Sequence, residues 1–175
     1  MMPRQCYNRF FWGLLLAILD FKLNRFDVLP DFVGYILISL AASRISSISP
    51  AFQRVVLPAA ALAILDLIGM FIVGELAIVL GFFDTVIDCY MIWCLLGAVA
   101  TDCGAHGHID LVASAHSRRR WYVGLRGAIY VLALIAHSNR DLGSALIVIG
   151  VVCALILIVL ILSLLRSARL RLFGH

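Results

Sequence analysis

The chain has 175 residues, of which 63% are hydrophobic and only 14% are charged, and its net charge is +4 at pH 7. A soluble domain of this size is closer to half apolar and a quarter charged. The composition therefore excludes an ordinary soluble domain and indicates that lipid solvates much of the surface. The length predicts one transmembrane domain, residues 1–175, with no room for a separate soluble enzyme domain.

Arginine clusters occur at every second gap between the apolar segments. They are Arg4 and Arg9; Arg44 and Arg54; Arg118, Arg119 and Arg120; and Arg166, Arg169 and Arg171. An excess of Lys and Arg marks cytoplasmic loops and attracts acidic headgroups, so no nucleic acid is needed to explain the positive charge. The pattern predicts an all-α, polytopic transmembrane helical bundle with six crossings in three hairpins and both termini in the cytoplasm.

The six apolar segments follow one another as three pairs. They are residues 10–19, 32–43, 55–73, 85–100, 121–136 and 145–165. The last is free of charge and would be about 31 Å long as a helix, which spans a hydrocarbon core of roughly 30 Å. The first two are short, so a re-entrant hairpin is the alternative to two crossings. Two crossings are favoured, because a re-entrant hairpin would leave the charged residues of its turn inside the bilayer.

The third segment contains the sharpest candidate, Asp66, an acid in an otherwise apolar stretch. Its position predicts a carboxyl group near the bilayer middle, at an insertion cost of about 3 kcal/mol. Ala59, Ala63 and Gly69 share its helix face, and small residues on one face predict that another helix packs closely there. The functional interpretation is a proton or cation site. The structural alternative is an aspartate that holds two helices together by hydrogen bonds.

Further charged candidates lie in the fourth and fifth segments. Asp84 and Asp88 are four residues apart, so they share a helix face. With Glu75 they predict an acidic patch at the outer surface, which is either a cation vestibule or, as we favour, a solvated turn. Arg126 lies inside the fifth segment. We expect it to snorkel to the headgroups, with an ion pair to Asp66 as the alternative.

Residues 101–120 predict a cytoplasmic loop, and its second part, residues 108–120, is expected to form a short surface helix. Cys103, His106 and His108 are metal-ligand types, but they do not have the paired spacing of zinc sites. We therefore assign no metal and no other cofactor. Nucleophile elbows, zinc-protease helices and phosphate-binding glycine loops do not occur in the sequence, so no catalytic residue is assigned and a non-enzymatic protein is favoured.

The turn after the first apolar segment carries a recognisable pattern. D-F-x-x-N-x-x-D-x-L-P-D-F-x-G-Y occurs at residues 20–35. It resembles the signature of an uncharacterised family of small polytopic bacterial integral membrane proteins. The resemblance implies an inner-membrane location and no activity. The acids of the pattern, Asp20, Asp27 and Asp31, join Asp66 as candidates; they either form salt bridges within the turn, as we favour, or an outward-facing ligand mouth.

Three functions stay open at this level. The favoured one is a non-enzymatic membrane partner or structural subunit, whose partners are the lipid bilayer and another membrane protein or a second copy of the chain. The first alternative is a small proton- or cation-coupled transporter that uses Asp66. The second is a lipid-active enzyme in which polar residues of the outer turns, such as Asp20 and His137, act as acid and base.

Overall fold

The computed structural model describes residues 3–18, 22–23, 26–27, 31–72, 75–138 and 140–173. The helices in them are α1 (Pro3–Ile18), α2 (Asp31–Ile45), α3 (Gln53–Gly69), α4 (Glu75–Ala105), α5 (Ile109–Ser138) and α6 (Arg140–Phe173). A 3₁₀ turn, Pro50–Phe52, precedes α3, and the two-residue strands β1 (Lys22–Leu23) and β2 (Phe26–Asp27) pair antiparallel. The predicted all-α fold class is confirmed, with one helix over each predicted segment.

The helices form a closed ring. Each helix packs against the next one along the chain, and α1 also packs against α6. All the predicted basic clusters lie at one end of this ring. The Arg169 guanidinium donates to Asn8 Oδ1 at 2.6 Å, which joins the end of α6 to the beginning of α1. Phe10 of α1 stacks on Phe52 with ring centroids 5.4 Å apart. Helices of alternating direction therefore bring every basic cluster to the same end, which we call the basic end.

The stretch predicted as a loop at residues 101–120 is helical apart from a short turn. Helix α4 continues to Ala105 and α5 begins at Ile109. Gly107 lies between them with φ +79°, a left-handed conformation that glycine adopts readily, and the His108 amide donates to the Cys103 carbonyl. The expected surface helix is thus the first part of α5. Its position in the cytoplasm stays a prediction.

Helices α1 and α2 cross at two glycines. A Cβ atom built on Gly34 would lie 2.5 Å from the Gly13 carbonyl oxygen and 2.6 Å from the Ala17 amide nitrogen. A Cβ on Gly13 would lie 2.8 Å from Ile38 Cγ1. Only the missing side chains allow the two backbones to come so close, as at small-residue interfaces of membrane helices.

Three helical stretches in the described part of the chain are long and apolar enough to cross a membrane: Pro50–Gly69, Val79–Ala105 and Val152–Leu172. Large apolar side chains are also exposed on the outside of the bundle, among them Leu57, Phe82 and Val159. A surface of this kind is typical of a protein solvated by lipid. The chain is therefore a membrane protein by composition and fold, and the count of six crossings stays a prediction.

Candidate functional site

Three helices each present a pair of polar residues to the inside of the bundle. In each pair the residues are four apart, so they lie on one helix face. The pairs are Asp31 and Tyr35 in α2, Asp84 and Asp88 in α4, and Tyr122 and Arg126 in α5. All of these residues except Asp84 line a cavity of about 360 Å³ that also reaches α1 and α6. The rest of the cavity wall is apolar, as in most small-molecule sites.

Asp88 is the centre of this site. It lies near the middle of α4, is 3% exposed, and is the one buried charged residue in the described part of the chain. The Tyr122 hydroxyl donates to Asp88 Oδ2 at 2.5 Å, and the Tyr35 side chain also hydrogen-bonds this carboxylate. Arg126 Nε lies 3.5 Å from the same oxygen. A buried carboxylate is tolerated only with such partners, because desolvation of an unpaired charge costs several kcal/mol.

The site keeps hydrogen-bonding capacity beyond these contacts. The 3.5 Å between Arg126 and Asp88 is an ion-pair distance, longer than the 2.7–2.9 Å of a strong charge-assisted hydrogen bond. Arg126 Nε and Asp84 Oδ1 are both buried, and neither has a hydrogen-bond partner among the residues that the structure describes. Buried polar atoms normally have a partner. These two atoms can therefore bind water or a polar ligand.

The described charged residues of the cavity wall are two acids, Asp31 and Asp88, and one base, Arg126. Asp84 lies one helical turn from Asp88 and adds a third acid nearby. Asp31 is the first residue of α2, so it lines the cavity on the side away from the basic end. A proton, a small cation or a zwitterion fits this balance better than an anion does.

The structure changes the roles expected for Asp84, Asp88 and Arg126. The acidic patch predicted at the outer surface is wrong for Asp88, which is buried inside the bundle. Helix α4 begins at Glu75, well before the predicted segment, so Asp88 lies in its middle rather than near a turn. Arg126 was expected to snorkel to the headgroups, yet it forms an ion pair with Asp88. The alternative partner predicted for it was Asp66, so the acid of the ion pair also differs from the prediction. The signal that could have revealed the site is the recurrence of polar pairs at i and i+4 in three apolar helices.

Asp66 lies beside this site rather than at its centre. Helix α3 ends at Gly69, so Asp66 is in the last turn and not in the middle of a longer helix. Ala59 and Ala63 on its face are buried, as expected, whereas Gly69 faces open space. Asp66 does not line the cavity at Asp88, so it is not part of the site.

Of the three acids in the predicted turn pattern, Asp20, Asp27 and Asp31, the structure describes the side chain of Asp31 only. Asp31 lines the cavity. Asp27 is the cross-strand partner of Lys22 in the β1–β2 ladder. A salt bridge between these two residues within the turn requires this register. Asp20 lies outside the described residues, as does the side chain of Asp27, so their salt bridges stay a prediction.

The Cys/His stretch packs as part of the bundle. Cys103 is buried, and His106 Nδ1 lies 2.8 Å from the Asp102 carbonyl oxygen. The Tyr7 hydroxyl donates to Asp102 Oδ2 at 2.6 Å and ties α1 to α4. Within the described residues, no three His, Cys, Asp or Glu side chains are grouped closely enough to hold a metal ion. The structure thus gives these residues packing and anchoring contacts.

Comparison with known proteins adds no assignment: no family model, no curated protein and no solved structure matches the chain. The resemblance of residues 20–35 to a bacterial membrane-protein signature stays a prediction.

Proposed function

We propose that the protein is a small multi-pass transporter of the bacterial inner membrane in which Asp88 exchanges a proton for a small organic cation. The observation that carries the proposal is the buried Asp88 carboxylate beside a largely apolar cavity, with the Arg126 Nε atom in the cavity wall still able to bind a ligand. An ionisable residue inside a membrane bundle is a functional candidate by default. The cavity is within the range of small-molecule sites, roughly 300–1,000 Å³.

The proposed cycle uses the two charge states of Asp88. The carboxylate pairs with Arg126 and accepts the hydroxyls of Tyr122 and Tyr35. Protonation removes the charge that holds Arg126, so the contact between α4 and α5 weakens and the guanidinium is free to turn into the cavity. A bound cation needs the carboxylate, so the cation and the proton compete for one group. Coupled transport requires that one interface can adopt two arrangements. In this cycle the interface is the α4–α5 contact, and the proton favours one arrangement and the cation the other.

The location is part of the proposal. Three membrane-length helices and the gathering of all basic clusters at one end support a multi-pass protein with that end in the cytoplasm. Both chain termini then lie in the cytoplasm.

A membrane partner or structural subunit is the second candidate. It is favoured because Asp88 already has several partners: tyrosine hydroxyls from two helices and one guanidinium. Polar contacts of this kind hold membrane helices together. This role predicts no solute flux and a stable companion, either another membrane protein or a second copy of the chain. The lipid-active enzyme relied on Asp20 and His137, whose side chains lie outside those described, so it stays a prediction.

The test is a flux measurement in liposomes. Purified protein is reconstituted with the pH-sensitive dye pyranine inside, and guanidinium, tetramethylammonium and ethylammonium are added outside in turn. We expect at least one cation to drive proton efflux through the wild type. The efflux should be lost in Asp88→Asn and kept in Asp110→Asn, which changes an exposed acid outside the cavity.

Folding is checked on the same samples by circular dichroism and gel filtration. A wild type that behaves like empty liposomes with all three cations contradicts the transporter. Unchanged efflux in a folded Asp88→Asn variant contradicts the assignment of Asp88. A protein that copurifies at fixed stoichiometry, with no flux, favours the partner subunit.

A further inference from the structure

A second cavity lies on the outside of the bundle, between α5 and α6. Its volume is about 500 Å³, and Leu125 and Leu157 separate it from the cavity at Asp88, since both residues line both spaces. Trp121 and Ile156, which line its outer edge, are 70% and 57% exposed. This α5/α6 groove therefore faces the surroundings of the bundle, which are lipid at this depth.

The groove changes from polar to apolar along its length. Ser114, Ser117 and Arg118 line it toward the basic end of α5, and Ile156 and Cys153 line it toward the middle of α6. An amphipathic molecule with a polar head at the basic end fits this gradient. A free ion or a wholly apolar molecule fits only one half of it.

Arg118 supplies the positive charge of the groove. One of its terminal nitrogens donates to the Leu160 carbonyl and lies 3.3 Å from Ser163 Oγ, so the guanidinium rests on the apolar span of α6. No carboxylate of the described residues forms a salt bridge with it. A guanidinium has five N–H donors. Both contacts found among the described residues use the same nitrogen, so the donors of the other two nitrogens are open to a ligand. A guanidinium charge next to hydrocarbon is stabilised by an anionic partner.

The neighbouring arginines point elsewhere. Arg119 lies over the Trp93 ring at 4.1 Å from its centroid, which directs it toward α4. Arg120 is exposed and does not line the groove. The cationic head site of the groove is therefore Arg118 with the adjacent Ser117, and Arg120 offers a matched control of equal charge.

We propose that the α5/α6 groove binds one anionic glycerophospholipid, with its phosphate on Arg118 and Ser117 and an acyl chain along Trp121 and Ile156. Basic pockets between membrane helices recognise acidic headgroups in this way, and tryptophan is enriched at headgroup level. Arginine suits the phosphate because its planar fork makes paired hydrogen bonds to two oxygens. The site is independent of the proposed transport, because it lies on the other side of the Leu125–Leu157 wall.

Native mass spectrometry of the purified full chain in nonionic detergent tests the proposal. Phosphatidylglycerol and phosphatidylcholine with identical acyl chains are added separately, and inorganic phosphate is added as a third arm. We expect one phosphatidylglycerol to bind the wild type at least tenfold more tightly than phosphatidylcholine. Arg118→Gln should lower the phosphatidylglycerol affinity at least tenfold, and Arg120→Gln should leave it within twofold.

Two further variants keep the test decisive if Arg118→Gln does not fold. Arg118→Lys keeps the charge but not the planar fork, and Ser117→Ala removes one donor, so each should lower the affinity by a smaller factor. Equal binding of both lipids overturns the proposal, as does an equal loss in the Arg118 and Arg120 variants, which would indicate diffuse surface charge. Competition by inorganic phosphate at the lipid concentration also overturns it, because the groove would then be an ion site only. None of these readouts depends on flux.

Discussion

Asp88 holds three helices together through its carboxylate. Tyr122 of α5 donates to Oδ2 at 2.5 Å, Arg126 of α5 lies 3.5 Å from the same oxygen, and Tyr35 of α2 also reaches the carboxylate. Hydrogen bonds to a charged group contribute about 1.5–3 kcal/mol each, more than neutral ones do. Because both tyrosines and Arg126 come from other helices, each contact stabilises tertiary packing rather than a single helix.

Tyr122→Phe should destabilise the bundle by about 1.5–3 kcal/mol. The ring still fills its place, so the loss reports the hydroxyl that donates to Asp88. Thermal unfolding in detergent, followed by circular dichroism, measures the change. Tyr90→Phe is the control, because the Tyr90 side chain is exposed on the outside of α4. Equal stability of the two variants would show that the short hydrogen bond contributes nothing.

The ion pair is tested by a double-mutant cycle with Asp88→Asn and Arg126→Gln. Each single variant leaves one charge without its partner, so we expect the double variant to lose less stability than the two singles together. The coupling energy should be about 1–3 kcal/mol in favour of the pair. We expect it to be smaller than for a fully buried pair, because the Arg126 side chain is 39% exposed. The exposed pair Asp110 and Arg171 should show much weaker coupling. Additive single effects would mean that Arg126 does not act on Asp88.

Residue-level reasoning identified the acids and the arginine of the site but not their arrangement. Asp31, Asp84, Asp88 and Arg126 stand out in the sequence because charges are rare in apolar helices. Which acid meets the arginine depends on how α4 and α5 are rotated against each other, and that rotation is set by packing along their whole lengths. The tyrosines are less visible, since a tyrosine in a membrane helix is also common at the lipid interface.

Helix α1 depends on glycine for its place against α2. The Gly34 position leaves no room for a methyl group, since the Gly13 carbonyl oxygen would lie 2.5 Å from it. The same two helices supply Leu14, Ala17, Asp31 and Tyr35 to the wall of the cavity. A change in the α1–α2 crossing therefore changes the shape of the site.

Gly34→Ala should destabilise the bundle by about 1–3 kcal/mol, the usual effect of overpacking. Gly124→Ala is the matched control, because a Cβ at Gly124 meets nothing within 4 Å. There alanine should be neutral or raise the stability by up to about 1 kcal/mol through its higher helix propensity. The melting temperatures of the Gly34→Ala and Gly124→Ala variants, measured in the same detergent, test this difference in stability. A Gly34→Ala protein as stable as the Gly124→Ala protein would contradict the close crossing.

At the level of whole helices, the hydrophobic pattern located each of the described α-helices but underestimated the length of the longer ones. The fifth apolar segment was placed at residues 121–136 and a separate surface helix at residues 108–120, whereas the two form one continuous helix, α5 (Ile109–Ser138). In its polar beginning Arg118 bonds to α6, and Arg119 stacks on Trp93 of α4. Such contacts between helices are invisible in a pattern that scores only local apolar residues.

The molecule as a whole is polarised from end to end. Helix α3 connects a turn at the basic end, near Ser47, with a turn at the opposite end, near Phe71. Both side chains are exposed. Positive charge is retained on the cytoplasmic side of bacterial membranes, so these two positions should lie on opposite sides of the bilayer.

Thiol labelling of intact cells tests this orientation. In a background without the five native cysteines, Phe71→Cys should react with a membrane-impermeant maleimide added outside, and Ser47→Cys should not. Inside-out vesicles should reverse the result. Labelling of Ser47→Cys from outside would invert the proposed orientation, and labelling of both positions from one side would contradict a membrane-crossing α3.

The ring of six helices could be predicted only in part. Alternating basic gaps predicted the order of the helices and their common basic end, because charge placement is visible along the chain. The contact of α1 with α6 joins residues more than a hundred and fifty positions apart, such as Asn8 and Arg169. No local pattern encodes that closure, which follows from the combined packing of all six helices.

The distribution of the polar pairs over α2, α4 and α5 has a consequence for biosynthesis. Ribosomes make the chain from its beginning, so Tyr35 and Asp88 leave the ribosome before Tyr122 and Arg126 do. The nascent protein therefore passes through a stage with an uncompensated acid, and the arrival of α5 ends it. Ribosome release after α4 would leave that acid stranded, which marks the fragment for quality-control proteolysis.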